Sequence, residues 1–378
     1  MDLNTDVIEQ AAVQVSTPAR ASAEATSSTK AWLEAIELIS RIDKLPGRLF
    51  ADVVEDWAKR QPGRAALISD IETFDYATLD KRINRHARWA LSEGLRKGDT
   101  VALLMANRPD YLACWLGISR VGGVVALINP ELVGQSLAHC IDVAAPSHII
   151  VAEELADVLH AAAPHLKSQA TIWVHGGERN GTNIDAALEQ FNDDQLSPDE
   201  RGDVSIDDRA LLIYTSGTTG LPKAASISHR RILNWGYWFA GLTGASVRDR
   251  LYDCLPVCHS VGGVVAPCGV LASGGSVVLA ERFSASEFWN DIVRFDCTMF
   301  QYTGELCRDL LEAPPSEYES VHSLRMVCGN GLRGDIREDF QARFAIPRIL
   351  EFYAATDGNF SLNNVEGENV STSEVVPA

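Results

Sequence analysis

At 378 residues the chain is longer than one hydrophobic core ordinarily serves, so two or more packed lobes are expected. Apolar residues make up 46% and charged residues 22%, the balance of an ordinary soluble globular protein. The 33 basic and 51 acidic side chains leave a formal charge of −18, which repels phosphate backbones and argues against nucleic acid as a partner.

Residues 1–30 are rich in Ala, Ser and Thr with little large apolar content, and are expected to be a disordered leader. Asp2, Asp6 and Glu9 stand where a signal peptide would carry basic residues, and no apolar run approaches the ~20 residues that span a bilayer. The eight cysteines mostly sit inside apolar runs such as Met326-Val327-Cys328, which suits buried thiols in a reducing compartment. The expected location is the cytoplasm, with attachment to a membrane surface left open.

From about residue 31 strands alternate with helices. Thr78 is placed to cap a helix with apolar positions at Leu79, Ile83, Ala87, Ala90 and Leu91, stopped by Gly94. Thr100–Met105 then reads as a buried strand, Pro109–Val121 as a helix, Val124–Ile128 as a strand, Leu132–Val143 as a helix and His148–Val151 as a strand. Residues 175–209 are polar and Asp-rich, and read as a surface excursion. Strands resume at Leu211–Tyr214, Leu251–Leu255, Ser276–Ala280, Cys297–Gln301, Leu324–Gly329 and Ile349–Tyr353. This rhythm implies parallel βαβ units in an α/β fold of two packed doubly wound lobes, with ligands beyond the carboxyl ends of the strands. The expected division is 31–209 for the first lobe and 210–367 for the second, with 368–378 a short tail.

Residues 214–223 read Tyr-Thr-Ser-Gly-Thr-Thr-Gly-Leu-Pro-Lys. Here a buried strand runs into a loop with four hydroxyls, two glycines and one lysine. Gly217 and Gly220 permit close backbone approach, and Thr215, Ser216, Thr218 and Thr219 with backbone N–H groups can wrap an oxyanion. Lys223 adds a positive charge on a flexible stem, local compensation for an acidic protein that must hold a polyanion. A polar hairpin turn would draw on the same residue types. Because Lys223 follows Pro222 and precedes Ala224, the loop is not a Walker A motif.

Three further segments follow. Leu255-Pro256-Val257-Cys258-His259-Ser260-Val261-Gly262 places His259 after a strand; a histidine satisfied in the core is the alternative. Cys254 and Cys258 are one residue too far apart for c-type haem attachment, and a zinc site lacks nearby ligands. Gly329-Asn330-Gly331-Leu332-Arg333 reads as a strand-to-helix turn with accessible backbone. Last comes Glu351-Phe352-Tyr353-Ala354-Ala355-Thr356-Asp357-Gly358-Asn359.

In this order the four segments resemble the motifs of the adenylate-forming superfamily: acyl-CoA synthetases, luciferases and the adenylation domains of peptide synthetases. The resemblance implies that 215–220 and Lys223 bind the phosphates of ATP, and that His259 stands at the mouth of the acyl pocket. It also implies that Gly329, Asn330 and Gly331 offer backbone to the acyl carbonyl and adenine, that Tyr353 stacks on adenine, and that Thr356 contacts the α-phosphate. Lys223, His259 and Thr356 are the implied catalytic residues. Asp357 takes the place of the usual magnesium-binding glutamate, one methylene shorter, and Ala354 that of a glycine, so the cation would shift or bind through water.

Asn107-Arg108-Pro109-Asp110-Tyr111, the run Phe300–Arg308 and the run Asp335–Gln341 narrow the resemblance to the fatty-acid-transport-protein and very-long-chain acyl-CoA synthetase branch. It extends over roughly residues 50 to 365. It implies activation of a fatty acid with ATP, Mg²⁺ and coenzyme A. Glu368–Ala378 carries none of the branch's later motifs, so the family's hinge and its small C-terminal domain, on the order of a hundred residues, are expected to be absent. Another adenylated acid, or a nucleotide- or acyl-binding protein without catalysis, are the competing expectations.

Overall fold

The structure, a computed structural model, describes residues 28–177, 182–215, 221–354, 356 and 361–364. The 1–27 part of the expected leader lies outside them, as does the tail. The described strands are β1 (Ala65–Ile68), β2 (Thr73–Asp75), β3 (Thr100–Leu104), β4 (Val124–Ile128), β5 (His148–Ala152), β6 (Thr171–His175), β7 (Thr182–Asn183) and β8 (Arg209–Thr215). They continue with β9 (Lys223–Ser228), β10 (Arg250–Asp253), β11 (Ser276–Leu279), β12 (Met299–Thr303), β13 (Met326–Asn330), β14 (Ile349–Ala354) and β15 (Ser361–Asn364).

Two sheets form. One has seven strands in the order β7-β6-β5-β3-β4-β8-β9, the other eight in the order β15-β14-β13-β12-β10-β11-β1-β2. Both are parallel apart from the antiparallel edge strands β9, β2 and β15. In β3, β4 and β5 every residue is buried, as parallel strands covered by helices on both faces must be, and this explains their unbroken apolar runs.

The sheets cut across the sequential division at 209/210. Strands β8 and β9, which lie after it, complete the first sheet, while β1 and β2 from the N-terminal part extend the second. Apolar patterning marks each strand, but the pairing partner is chosen by register and packing.

One apolar core joins the two sheets: Val101, Leu103, Val125 and Leu211 of the first belong to the same cluster as Leu67, Leu251, Val277 and Met326 of the second. Between them lie helices His229–Thr243 and Ala266–Ala272. These approach so closely that a Cβ on Gly269 would stand 2.4 Å from the Phe239 ring. Helix Ser28–Ile39 packs on the first of these, with Ala35 against Gly241 and Trp32 edge-on to Trp238 at 4.7 Å.

Two local expectations are corrected. Helix Tyr76–Ser92 is capped by Asp75, whose carboxylate accepts from the Thr78 N–H; a carboxylate three residues earlier reaches the free N–H better than the Thr78 hydroxyl inside the first turn. The described part of 175–209 is more than an excursion. Ile184, Leu188, Leu196 and Ile206 are buried, and Arg88 donates to the carbonyls of Asn192 and Asp194 and to Glu200. Four apolar residues suffice to seat it because its acidic groups pair with arginines of the helix Tyr76–Ser92. No helix among the described residues is long and apolar enough to cross a membrane. All eight cysteines are buried and unbridged, and burial raises their thiol pKa values, Cys258 to about 12.

Candidate active site

The expected site residues that the structure describes lie at or just beyond the ends of strands of both sheets. Strands β8 and β9 form an antiparallel hairpin in which Thr215 opposes Lys223, and the Tyr214 hydroxyl below donates to the Cys140 carbonyl at 2.5 Å. Lys223 is exposed at the hairpin mouth. His139 Nε2 meets the Pro222 carbonyl at 3.1 Å and fixes the returning strand. Ser216, Gly217, Thr218, Thr219 and Gly220 lie outside the described residues, as does Asp357.

On the other sheet, β10 ends in Asp253 and leads to His259. The segment is clamped by Asn107, which is buried between the sheets. Its amide donates to the carbonyls of Leu255 at 2.8 Å and Ala280 at 2.9 Å, and its oxygen accepts from the Val257 N–H at 3.0 Å. Behind His259 the chain makes a single π-helical turn, Val261–Val265. There the Gly263 N–H donates to the His259 carbonyl at 2.8 Å, and a Cβ on Gly263 would stand 1.8 Å from the Val257 carbonyl oxygen. A wide turn of this kind often marks a functional site. The His259 ring reaches solvent at the rim, yet the protein around it lowers its pKa through desolvation, against the opposing pull of Glu131. It is a neutral imidazole at pH 7, able to hydrogen-bond without carrying charge.

Strands β12, β13 and β14 are neighbours. Gly329, Asn330 and Gly331 lie at the carboxyl end of β13, with Gly331 at φ +77°. Their glycines have a packing reason: a Cβ on Gly329 would stand 2.2 Å from the Tyr302 carbonyl, and one on Gly304 1.9 Å from the Gly331 carbonyl. Glu351 on β14 ties the turn down, accepting from the Leu332 N–H at 3.1 Å and from Arg337 at 3.0 Å. The Tyr353 backbone pairs with Leu362; its side chain lies outside the description.

Thr356, just past β14, joins these parts. Its hydroxyl lies 3.0 Å from the Ser260 hydroxyl, next to His259. Its carbonyl accepts from Arg231, in the first turn of the helix that follows β9, at 3.3 Å. The structure thus brings together the segments of His259 and Thr356, and sets Gly329–Gly331 on the strand beside β14. Lys223 stands at the opposite end of β9 from Arg231, about 17 Å along an extended strand.

Sequence reasoning missed Arg231, Ser260 and the clamping role of Asn107. Arg231 is adjacent to Arg230, which instead pairs with Asp207 and Asp43 at the surface, and composition alone does not tell them apart.

Among the described residues one group has the spacing of a metal site: Asp110, His175 and Asp185. Arg82 already supplies its positive charge, donating to Asp110 at 2.8 and 2.5 Å and lying 3.8 Å from Asp185. An imidazole and a guanidinium there do not suit Mg²⁺, which prefers an octahedron of oxygens.

A protein family described as AMP-binding enzyme matches residues 54–375. Mouse long-chain fatty acid transport protein 6 is 37% identical over 335 residues, 86% of this chain and 53% of that protein. The chain spans about half the length of the curated relatives it matches. Among solved structures, an anthranilate CoA ligase in complex with anthranoyl-AMP superposes with a TM-score of 0.76 at 18% identity, covering 82% of this chain and 60% of that one. A long-chain-fatty-acid-CoA ligase from Archaeoglobus fulgidus does so with a TM-score of 0.74 at 20% identity, covering 82% and 65%. The two sheets are those of the N-terminal domain of adenylate-forming enzymes.

Proposed function

The chain belongs to the AMP-binding enzyme family, and from that premise we propose that it is the ATP-binding, carboxylate-activating part of a fatty acyl-CoA synthetase for long or very long chains. The fatty carboxylate attacks the α-phosphorus of ATP; the bond to the leaving pyrophosphate breaks and acyl-AMP forms. The thiol of coenzyme A then displaces AMP, losing its proton. The contact between Ser260 and Thr356 carries this reading most, because residues 96 apart in the chain meet there, one beside His259 and the other at the segment assigned to the α-phosphate.

Both reactants are anionic, so the rate must come from charge compensation and positioning. In a chain of net charge −18 that compensation is local. Lys223 and the loop Thr215, Ser216, Gly217, Thr218, Thr219, Gly220 are assigned to the β- and γ-phosphates. Gly329, Asn330, Gly331 and Tyr353 are assigned to the adenine side, and Thr356 to the α-phosphate. The neutral His259 at the rim of its segment hydrogen-bonds near the acid without repelling or trapping it. Mg²⁺, when bound, adds charge compensation on the phosphates, and Asp357 is its assigned ligand. The same reading places the protein in the cytoplasm or on a membrane surface.

The test is ATP binding and ATP–pyrophosphate exchange with a panel of acids. Exchange is expected with long-chain fatty acids. Exchange confined to aryl, amino or short acids would replace the substrate, and binding of ATP without exchange would make the chain a nucleotide binder. Lys223→Ala is expected to weaken ATP binding roughly 10- to 100-fold, the loss of a charge-assisted contact, with an unchanged melting temperature. Unaltered ATP affinity would remove the triphosphate from this loop.

A further inference from the structure

Thr356 is held from two sides by residues that belong to none of the four motif roles. Its hydroxyl meets Ser260 at 3.0 Å and its carbonyl meets Arg231 at 3.3 Å. Each partner is itself set by the fold. Arg231 lies in the first turn of helix His229–Thr243, where its N–H donates to the capping Ser228 hydroxyl at 3.3 Å. Its guanidinium rests 5.6 Å from the ring of Trp235, one turn further on. Ser260 opens the π-turn that Asn107 and the crowded Gly263 hold in place.

We infer that Ser260 and Arg231 are positioning residues that aim the Thr356 hydroxyl proton at an oxygen of the α-phosphate. This rests on the assignment of Thr356 to that phosphate. A hydroxyl has one proton and two lone pairs. When Ser260 donates to Thr356 Oγ1, a lone pair is used and the threonine proton remains for another acceptor. Without Ser260 the threonine O–H rotates freely and donates to water as readily as to phosphate. Arg231 acts one bond further back, fixing the threonine backbone through its carbonyl. The serine is also the neighbour of His259, so the acid-facing segment and the phosphate contact are set by one hydrogen bond.

The ratio of AMP to adenosine affinity, measured calorimetrically on the full chain, isolates recognition of the α-phosphate and needs no turnover. Thr356→Val is expected to shrink that ratio roughly tenfold, the loss of a hydrogen bond to a charged group. Ser260→Ala is expected to shrink it about three- to fivefold and Ser260→Thr, which keeps the donor, to restore it. Adenosine affinity should change less than about twofold throughout, whereas a collapsed site would weaken both ligands. In the Thr356→Val background neither Ser260→Ala nor Arg231→Gln should lower the ratio further, since partners in one network are not additive.

An undiminished effect of Ser260→Ala in that background overturns the inference for the serine. An undiminished effect of Arg231→Gln overturns it for the arginine, which would then touch the phosphate itself. If Thr356→Val leaves the ratio unchanged while Lys223→Ala still weakens ATP, the phosphate role of Thr356 fails and the inference falls with it, though the triphosphate loop stands.

Discussion

Asn107 shows how much a single buried side chain can decide. Its three hydrogen bonds end on backbone groups of two strand termini, including the Val257 N–H and the Leu255 carbonyl of the segment that leads to His259. Asn107→Ala leaves these groups buried without partners, at a cost of roughly 1–3 kcal/mol each before relaxation. We expect about 3 kcal/mol of lost stability, read by denaturant unfolding. Asn107→Asp, which removes both donors, should be nearly as severe. A change below about 1 kcal/mol in either would mean that water replaces the amide. The sequence displayed Asn107 in a recognisable run, but that it reaches across to β10 and β11 depends on how the two sheets meet.

At the scale of elements, the π-turn Val261–Val265 is the least replaceable. Gly263→Ala would place a methyl 1.8 Å from the Val257 carbonyl, a backbone atom that cannot swing aside. The turn must shift and carry Ser260 and His259 with it. The expected result is a loss of about 2 kcal/mol or more, with loss of exchange activity. Gly63→Ala is the matched control, since nothing lies within 4 Å of its added Cβ. It should be neutral or slightly stabilising through the unfolded chain. Equal melting temperatures for the two variants would contradict the crowding. The glycine pair 262–263 was visible in the sequence, but a glycine needed for space reads like one needed for a turn until the facing carbonyl is known.

For the whole molecule, the buried titratable groups set a stability profile. Burial lowers the pKa of His86 and His229 to about 4, so both stay neutral in the native state while the unfolded chain takes up protons below about 6.5. The contribution of these two histidines is therefore complete above about pH 6.5 and falls as pH drops toward 4. Asp80 works the other way, because burial raises its pKa to about 6; the native state keeps its proton where the unfolded chain has lost it, which favours folding below pH 6. Asp253, fully buried, is raised in the same direction, so two aspartates oppose the two histidines as the pH falls from about 6 to about 4. His229→Asn should remove one histidine's share of the pH slope, about 1.4 kcal/mol per pH unit between about 6.5 and 4, measured as unfolding free energy at several pH values. An unaltered slope in the variant would place the acid sensitivity elsewhere.

The strands β3, β4, β5, β8 and β10 to β14, the α/β class and the order of the four motifs follow from local pattern, because burial on both faces demands continuous apolar runs and the motif residues stand at fixed spacing. Strands β1, β2, β6, β7, β9 and β15, short or partly polar, are seen only in the structure. The sequence therefore determined which family the chain belongs to and which segments are the candidates for its chemistry. The tertiary structure decided which strands share a sheet, with β8 and β9 completing the first and β1 and β2 extending the second. It also decided that Arg231 rather than Arg230 meets Thr356, and that Ser260 joins them. These are contacts between residues some hundred positions apart, and they are fixed by sheet register and helix packing, which no local pattern encodes.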